Sequence, residues 1–147
     1  MTKQRLLMLA LIGAAFTAST AEARDDHLRF PIQDGLNSAL AQGKIDAGVK
    51  LFWGDQPYPA PVQTYGEYVS NRKTNALNKS DKEACEINLV SAIIELQSRA
   101  RSDGGNAVIN IHSYYKKNDI SSTTEYECGA GTFVAGVALK GTVVRLP

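Results

Sequence analysis

Ser80 to Gly105 reads SDKEACEINLVSAIIELQSRARSDGG, and the way this stretch folds decides what the remaining segments must do. Ser80 with Glu83 three positions on makes a capping box: the serine hydroxyl accepts a backbone N–H that has no helical partner, and the glutamate returns to the backbone of Ser80. Lys82, Glu83, Ala84, Glu86 and Leu89 are good helix formers, no proline interrupts them, and Gly104-Gly105 supplies the left-handed residue that closes a helix. Arg99 and Arg101 fall in the last turns, where the negative end of the helix dipole favours cations. The spacing predicts one long helix. Cys85, Leu89, Ala92, Ile93, Leu96 and Ala100 share one face, which must be buried. Ile87, Val90 and Ile94 form a thinner second stripe interleaved with Glu83, Glu86 and Gln97. That is more apolar surface than one sheet contact needs, so these three are a candidate interface, covered either by the N-terminal segment or by another subunit.

Beyond the helix, Ala107 to Tyr115 (AVINIHSYY) alternates as a strand, with Ala107, Ile109, Ile111 and Ser113 expected toward the helix and Val108, Asn110, His112 and Tyr114 away from it. Thr123 to Cys128 (TTEYEC) places Thr124, Tyr126 and Cys128 together and turns Glu125 and Glu127 outward. Cys128 can therefore point at the helix that carries Cys85. Thr132 to Arg145 is rich in β-branched residues, with Gly136 and Gly141 as bulge or close-approach sites. Upstream, Gly48 to Trp53 (GVKLFW) alternates, the prolines of GDQPYPAP end that strand, and Val62 to Arg72 resumes another with Tyr65, Glu67 and Val69 on one side and Gly66, Tyr68 and Ser70 on the other. Pro31 to Gly43 reads as a short helix able to lie on the second stripe, and Arg24 to Phe30 as a loosely held polar tail. The expected fold is α+β: a mainly antiparallel sheet of about five strands with one long helix packed on one face and a short N-terminal helix.

Lys3 and Arg5 precede the apolar run Leu6 to Phe16, and Ala21-Glu22-Ala23 has the small-x-small form of a cleavage site. Residues 1–23 are thus expected to be a signal peptide and 24–147 a single domain, periplasmic or secreted. The run is shorter than the roughly 20 residues that span a bilayer, so no stable membrane insertion is expected after cleavage. No cysteine follows it to take a lipid. Of 16 basic and 15 acidic residues the leader carries two and one, which leaves the mature chain near neutral and without the basic field that nucleic acid requires. Cys85 and Cys128 are an even count in a chain bound for an oxidising compartment, so a disulfide is expected. A redox role is disfavoured, because Glu83 and Glu86 beside Cys85 would raise a thiol pKa.

Sequence signatures of nucleophilic, zinc-protease, phosphate-loop and dinucleotide sites are absent. Gly129-Ala130-Gly131 lies between two strands, where no helix dipole can hold a phosphate, and reads as a hairpin turn. No cofactor and no metal are expected. One polar constellation stands out: adjacent strands would bring Asn110, His112 and Tyr114 near Glu125 and Glu127, a proton-transfer pair or partial metal site if they converge and an ordinary solvated sheet face if they do not. A zinc site wants three or four ligands, and His27 lies in the N-terminal tail. Trp53, Tyr58, Tyr65 and Tyr68 surround the proline-rich loop, with Trp53 expected in the core.

The junction SRARSDGGNAVINI, Ser98 to Ile111, resembles one shared by small bacterial envelope and cytosolic domains, among them the sensor lipoprotein of the Rcs stress system and the YbjQ-like domains, which are labelled heavy-metal-binding. With KLFWGDQPYP, the AIIELQ helix and the closing GTVVRL, the chain as a whole is similar to exported proteobacterial proteins of unknown role often labelled "excinuclease ATPase subunit". That label implies ATP-dependent DNA repair, yet the phosphate-loop glycines and lysine, zinc-finger cysteines and basic surface are all missing. The YbjQ-like layout implies ring-like oligomers, and the lipoprotein's anchoring cysteine has no counterpart here. The residues favour an exported non-catalytic binding or interaction domain of the bacterial envelope, its partner an unknown protein or envelope ligand, with a homo-oligomer open. The alternative is a small metal-binding protein or enzyme using His112 with Glu125 or Glu127.

Overall fold

The computed structural model describes residues 23–147; the expected leader lies outside them except for Ala23. The fold is α+β. Its elements are β1 (Asp26–Pro31), α1 (Ile32–Asn37), β2 (Lys50–Trp53), β3 (Gln63–Asn75), α2 (Asp81–Asp103), β4 (Ala107–Ser113), β5 (Glu125–Ala130) and β6 (Val134–Arg145). A short 3₁₀ turn at Tyr115–Lys117 follows β4. Strand β6 is the spine of one six-stranded sheet. Along one side it pairs antiparallel with β3 for its whole length, and on the other it is shared between β4 near its C-terminus and β5 at Gly136 and Ala135. β1 adds to β5 antiparallel, and β2 adds to β4 in the one parallel pairing. The sheet has one strand more than expected, because the supposed polar tail is β1: Leu28 and Phe30 alternate with His27 and Arg29, and Arg29 lies opposite Glu127.

Helix α2 forms where the caps dictate. Ser80 accepts from the Glu83 N–H at 3.1 Å, and Gly104 closes the helix in the left-handed region at φ 87°. Its expected face, Cys85, Leu89, Ala92, Ile93, Leu96 and Ala100, is at most 1% exposed and packs on Val108, Ile111, Tyr126, Val137, Leu139 and Val143 of the sheet. At about 1.5–3 kcal/mol for each fully buried large aliphatic side chain, this contact is the main drive to fold. Cys85 and Cys128 are joined, with Cα atoms 5.8 Å apart. Trp53 is 5% exposed and belongs to the same core. Gly141 is a close-approach site as expected, since a Cβ there would meet Val108 Cγ1 at 2.7 Å.

Three expectations need correction. The short helix ends at Asn37 rather than Gly43, because Ser38 turns extended and both its N–H and its hydroxyl bond the Gly35 carbonyl. Residues 38–45 continue as turns, and α1 sets Gly35 against Leu89 rather than covering the second stripe. In β4 the strict alternation fails: Asn110 sits at φ 52° and the register to β6 slips between Ile109 and His112. One inserted residue exchanges the faces that follow. Val108 and Ile111 therefore face α2, while Ala107 and Ile109 join Val144, Leu146, Phe52 and Tyr58 in a second apolar cluster on the back of the sheet. A similar slip between Thr64 and Gly66 puts Tyr65 as well as Tyr68 against the main core.

Candidate functional site

The five candidate polar residues do not converge. His112 is held by its own neighbourhood: Nδ1 lies 2.7 Å from the Asn110 carbonyl, which the bulge turns inward, and Nε2 lies 2.7 Å from Asp119 Oδ1. Both neighbours are acceptors, so each contact is a hydrogen bond where the ring nitrogen facing it carries an N–H. Asp119 arrives from the loop after β4. Lys140, opposite His112 on β6, completes the group, with Nζ 3.7 Å from Asp119, 3.3 Å from Glu67 and 4.5 Å from the centre of the Tyr114 ring. Glu125 is exposed at the end of β5. Neither Glu125 nor Glu127 is among the hydrogen-bond or ion-pair partners of His112, so the pairing expected from the strand pattern is replaced by His112 with Asp119.

Glu127 belongs to a second cluster that sequence reasoning missed. Its side chain is 6% exposed, and Oε1 has no hydrogen bond but lies 3.4 Å from Nδ1 of His27. Its backbone N–H donates to Ser113 Oγ at 2.8 Å. His27 meets the Tyr115 ring edge-on at 5.2 Å, the Tyr115 hydroxyl donates to Asp25 at 3.0 Å, and Lys116 pairs with the same carboxylate. The ring of Tyr115 lies over Gly129, where a Cβ would come within 2.0 Å of Cζ. The available signal was the alternation of His27 and Arg29 with Leu28 and Phe30, which marks β1 and puts His27 on the face of Glu127. Among the described residues, no three His, Cys, Asp or Glu side chains stand together as a metal site.

Three carboxyls are held below the ordinary carboxylate range: Asp25 by Lys116, Asp46 by Arg101 with the Gly48 N–H, and Asp119 by His112. Each titrates lower folded than unfolded, so its stabilisation is complete above the unfolded pKa near 3.9 and disappears as pH falls through the lower folded value. Thermal midpoints are accordingly expected to drop as pH falls below about 4. Changing all three to Asn should flatten that drop when the melts are repeated.

The candidate interface residues part company. Val90 is 3% exposed, on the flank of α2 that also carries Gln97. Ile87 and Ile94 are half-buried and border a shallow groove between α2 and β3. This groove, of about 470 Å³ in its larger part, is lined by Tyr68, Ser70 and Arg72 from the strand and Ile94, Glu95 and Arg99 from the helix. Glu95 spans it, accepting from Ser70 Oγ at 2.6 Å and pairing with Arg72 at 3.0 Å, while Arg99 lies 4.2 Å over the Tyr68 ring. Arg72 and Lys73 both lie inside β3. No family model, curated protein or solved structure matches the chain. The far side of β3 pairs with no strand among the described residues, so its backbone groups are open along the groove.

Proposed function

We propose that this chain is an exported, non-catalytic binding or interaction domain of the bacterial envelope, periplasmic or secreted. The observation that carries the reading is the 13-residue strand β3, whose outer edge is unpaired beside the α2 groove. A sheet edge offers a row of directional donors and acceptors to another chain, with specificity supplied by the side chains beside it. The titratable groups, by contrast, are spent on one another in half-open ion pairs rather than aimed into an enclosed cavity. The buried Cys85–Cys128 bridge supports export, since such bonds persist in oxidising compartments. So does the leader pattern ahead of Arg24. No described helix is long and apolar enough to cross a membrane. Kinship with the exported proteobacterial proteins named above, read from KLFWGDQPYP, the AIIELQ helix and the closing GTVVRL, belongs to the same proposal.

The rival reading, a metal-binding protein or enzyme at His112, has Asp119 as its carboxylate partner. Native mass spectrometry of the protein purified from the periplasm separates the two. The expected spectrum is an oxidised chain beginning at Arg24, alone or in protein complexes, with no stoichiometric metal or small ligand. A bound metal lost on changing His112 to Ala would overturn the proposal in favour of its rival.

A further inference from the structure

We propose that the partner of the open β3 edge is a second copy of this chain, joined antiparallel about a two-fold axis at Ser70 so that two six-stranded sheets become one. This deepens the interaction-domain reading and rests on it. The hydrogen-bond phase of β3 is fixed by its pairing with β6: the Ala76 N–H donates to the Phe133 carbonyl, and the register then runs unbroken from Asn75 opposite Val134 back to Gly66 opposite Val143. In an antiparallel ladder alternate residues bond inward. Even-numbered residues from Gly66 to Ala76 therefore face β6, and the N–H and C=O groups of Glu67, Val69, Asn71, Lys73 and Asn75 face the open edge. The opposite side of β6 keeps the same phase, since the Ala138 and Val144 carbonyls accept from Tyr114 and Asn106.

Antiparallel pairing of this edge with itself must join odd residues to odd residues. Centred on Ser70, it places Glu67 opposite Lys73 and Val69 opposite Asn71, each twice by symmetry. On the helix side it places Tyr68 opposite Arg72, a cation over an aromatic face, and Ser70 opposite its own copy. Segment EYVSNRK is thus complementary to its own reversal, and like charges are kept off directly opposite positions. No such match follows from centring one residue later, where Lys73 meets Val69 and Glu67 meets Asn75.

The helices fit the same axis. Neighbouring strands lie about 4.8 Å apart. α2 packs over β6 and β3, so it and its copy would lie on the same face of the joined sheet, one on each side of the axis. The flank of α2 turned toward the edge carries Ser91, Ser98 and Ser102 along the groove, with Glu95 and Arg99 between them and Ile87 and Ile94 on the outer rim. Half-buried Ile87 and Ile94 and the unpaired strand thereby acquire one common cover.

The test is sedimentation equilibrium on the oxidised protein and three variants, with Trp53 fluorescence confirming the fold of each. Wild type is expected to be a dimer at micromolar concentration. Glu67→Lys sets Lys against Lys73 twice, and Lys73→Glu sets Glu against Glu67 twice, so each alone should weaken the dimer at least tenfold. An equimolar mixture of the two should restore it as a heterodimer, because each lysine then faces a glutamate. Asn71→Pro removes an N–H that points away from β6 and should leave a folded monomer. A monomeric wild type, a ring of higher order, a mixture that stays monomeric, or an Asn71→Pro protein that still dimerises would each overturn this inference. None of those results touches the broader binding reading, which fails only on the metal test above.

Discussion

Replacing Cys85 and Cys128 together by alanine is expected to lower the unfolding free energy by about 4 kcal/mol, the chain-entropy value for a loop closed across this separation in sequence. For a domain of this size that corresponds to a fall of roughly 10–20 °C in the thermal midpoint. The effect should be uneven. β5 meets β6 at only two register positions, Gly129 with Gly136 and Ala130 with Ala135, and β1 is attached to the sheet solely through β5. The bridge from α2 to Cys128 is therefore the covalent tie that holds this two-stranded flap against the core. Both cysteines are fully buried, so the double variant also leaves a small void beside Tyr126 and Leu89. Hydrogen exchange in the variant should show the amides of Leu28 to Phe30 and Tyr126 to Cys128 losing protection before those of β6. A midpoint lowered by less than about 5 °C, or uniform loss of protection, would contradict this account.

Features fixed by local chemistry could be read from the sequence. The α2 boundaries follow from Ser80, Glu83 and Gly104, and the bridge follows from the parity that turns Cys128 toward the helix while Glu125 and Glu127 turn away. What could not be read depends on single-residue insertions and distant pairings. Nothing in AVINIHSYY announces that Asn110 adopts a left-handed conformation, yet that one residue sends Ile109 to the back of the sheet and Ile111 to the core. Asp119 reaches His112 only because the turn at Lys116 and Lys117, both at positive φ, folds the loop back over β4. Leu28 and Phe30 carried the strand period, but a six-residue polar segment acquires its meaning only from β5 alongside it. Glu127, expected outward, does leave the helix side, and is then covered by His27 and Tyr115 instead of water. Asn88 and Gln97 are polar residues of α2, yet they are only 1% and 2% exposed. Helical periodicity shows which face a residue occupies, not whether a loop will descend on it.

Gln97 is where that difference has the largest consequence. Its carboxamide accepts from the Asp46 N–H at 2.9 Å and donates to the carbonyls of Asp46 at 3.0 Å and Val49 at 2.9 Å, satisfying three backbone groups of the segment that feeds β2. β2 is short, parallel to β4 and at the sheet edge, so it has few other restraints. Gln97→Met keeps the volume and removes all three bonds. Each buried group left unpaired costs about 1–3 kcal/mol, and with Asp46 half-buried the expected loss is about 3 kcal/mol. Trp53, the sole tryptophan, ends β2 and reports it directly: its emission should shift to the red at denaturant concentrations where far-ultraviolet circular dichroism is still native. Gln97→Glu separates hydrogen bonding from packing. Glutamate retains the acceptor for Asp46 but, when ionised, sets a carboxylate against two carbonyl oxygens, so the fold favours its protonated form and raises its pKa. The deficit relative to wild type should thus be smallest near pH 4.5 and grow toward pH 7, as the unfolded chain ionises freely and the folded one does not. Equal deficits at both pH values would mean that Gln97 acts through its volume alone, and that something other than its carboxamide holds β2 in place.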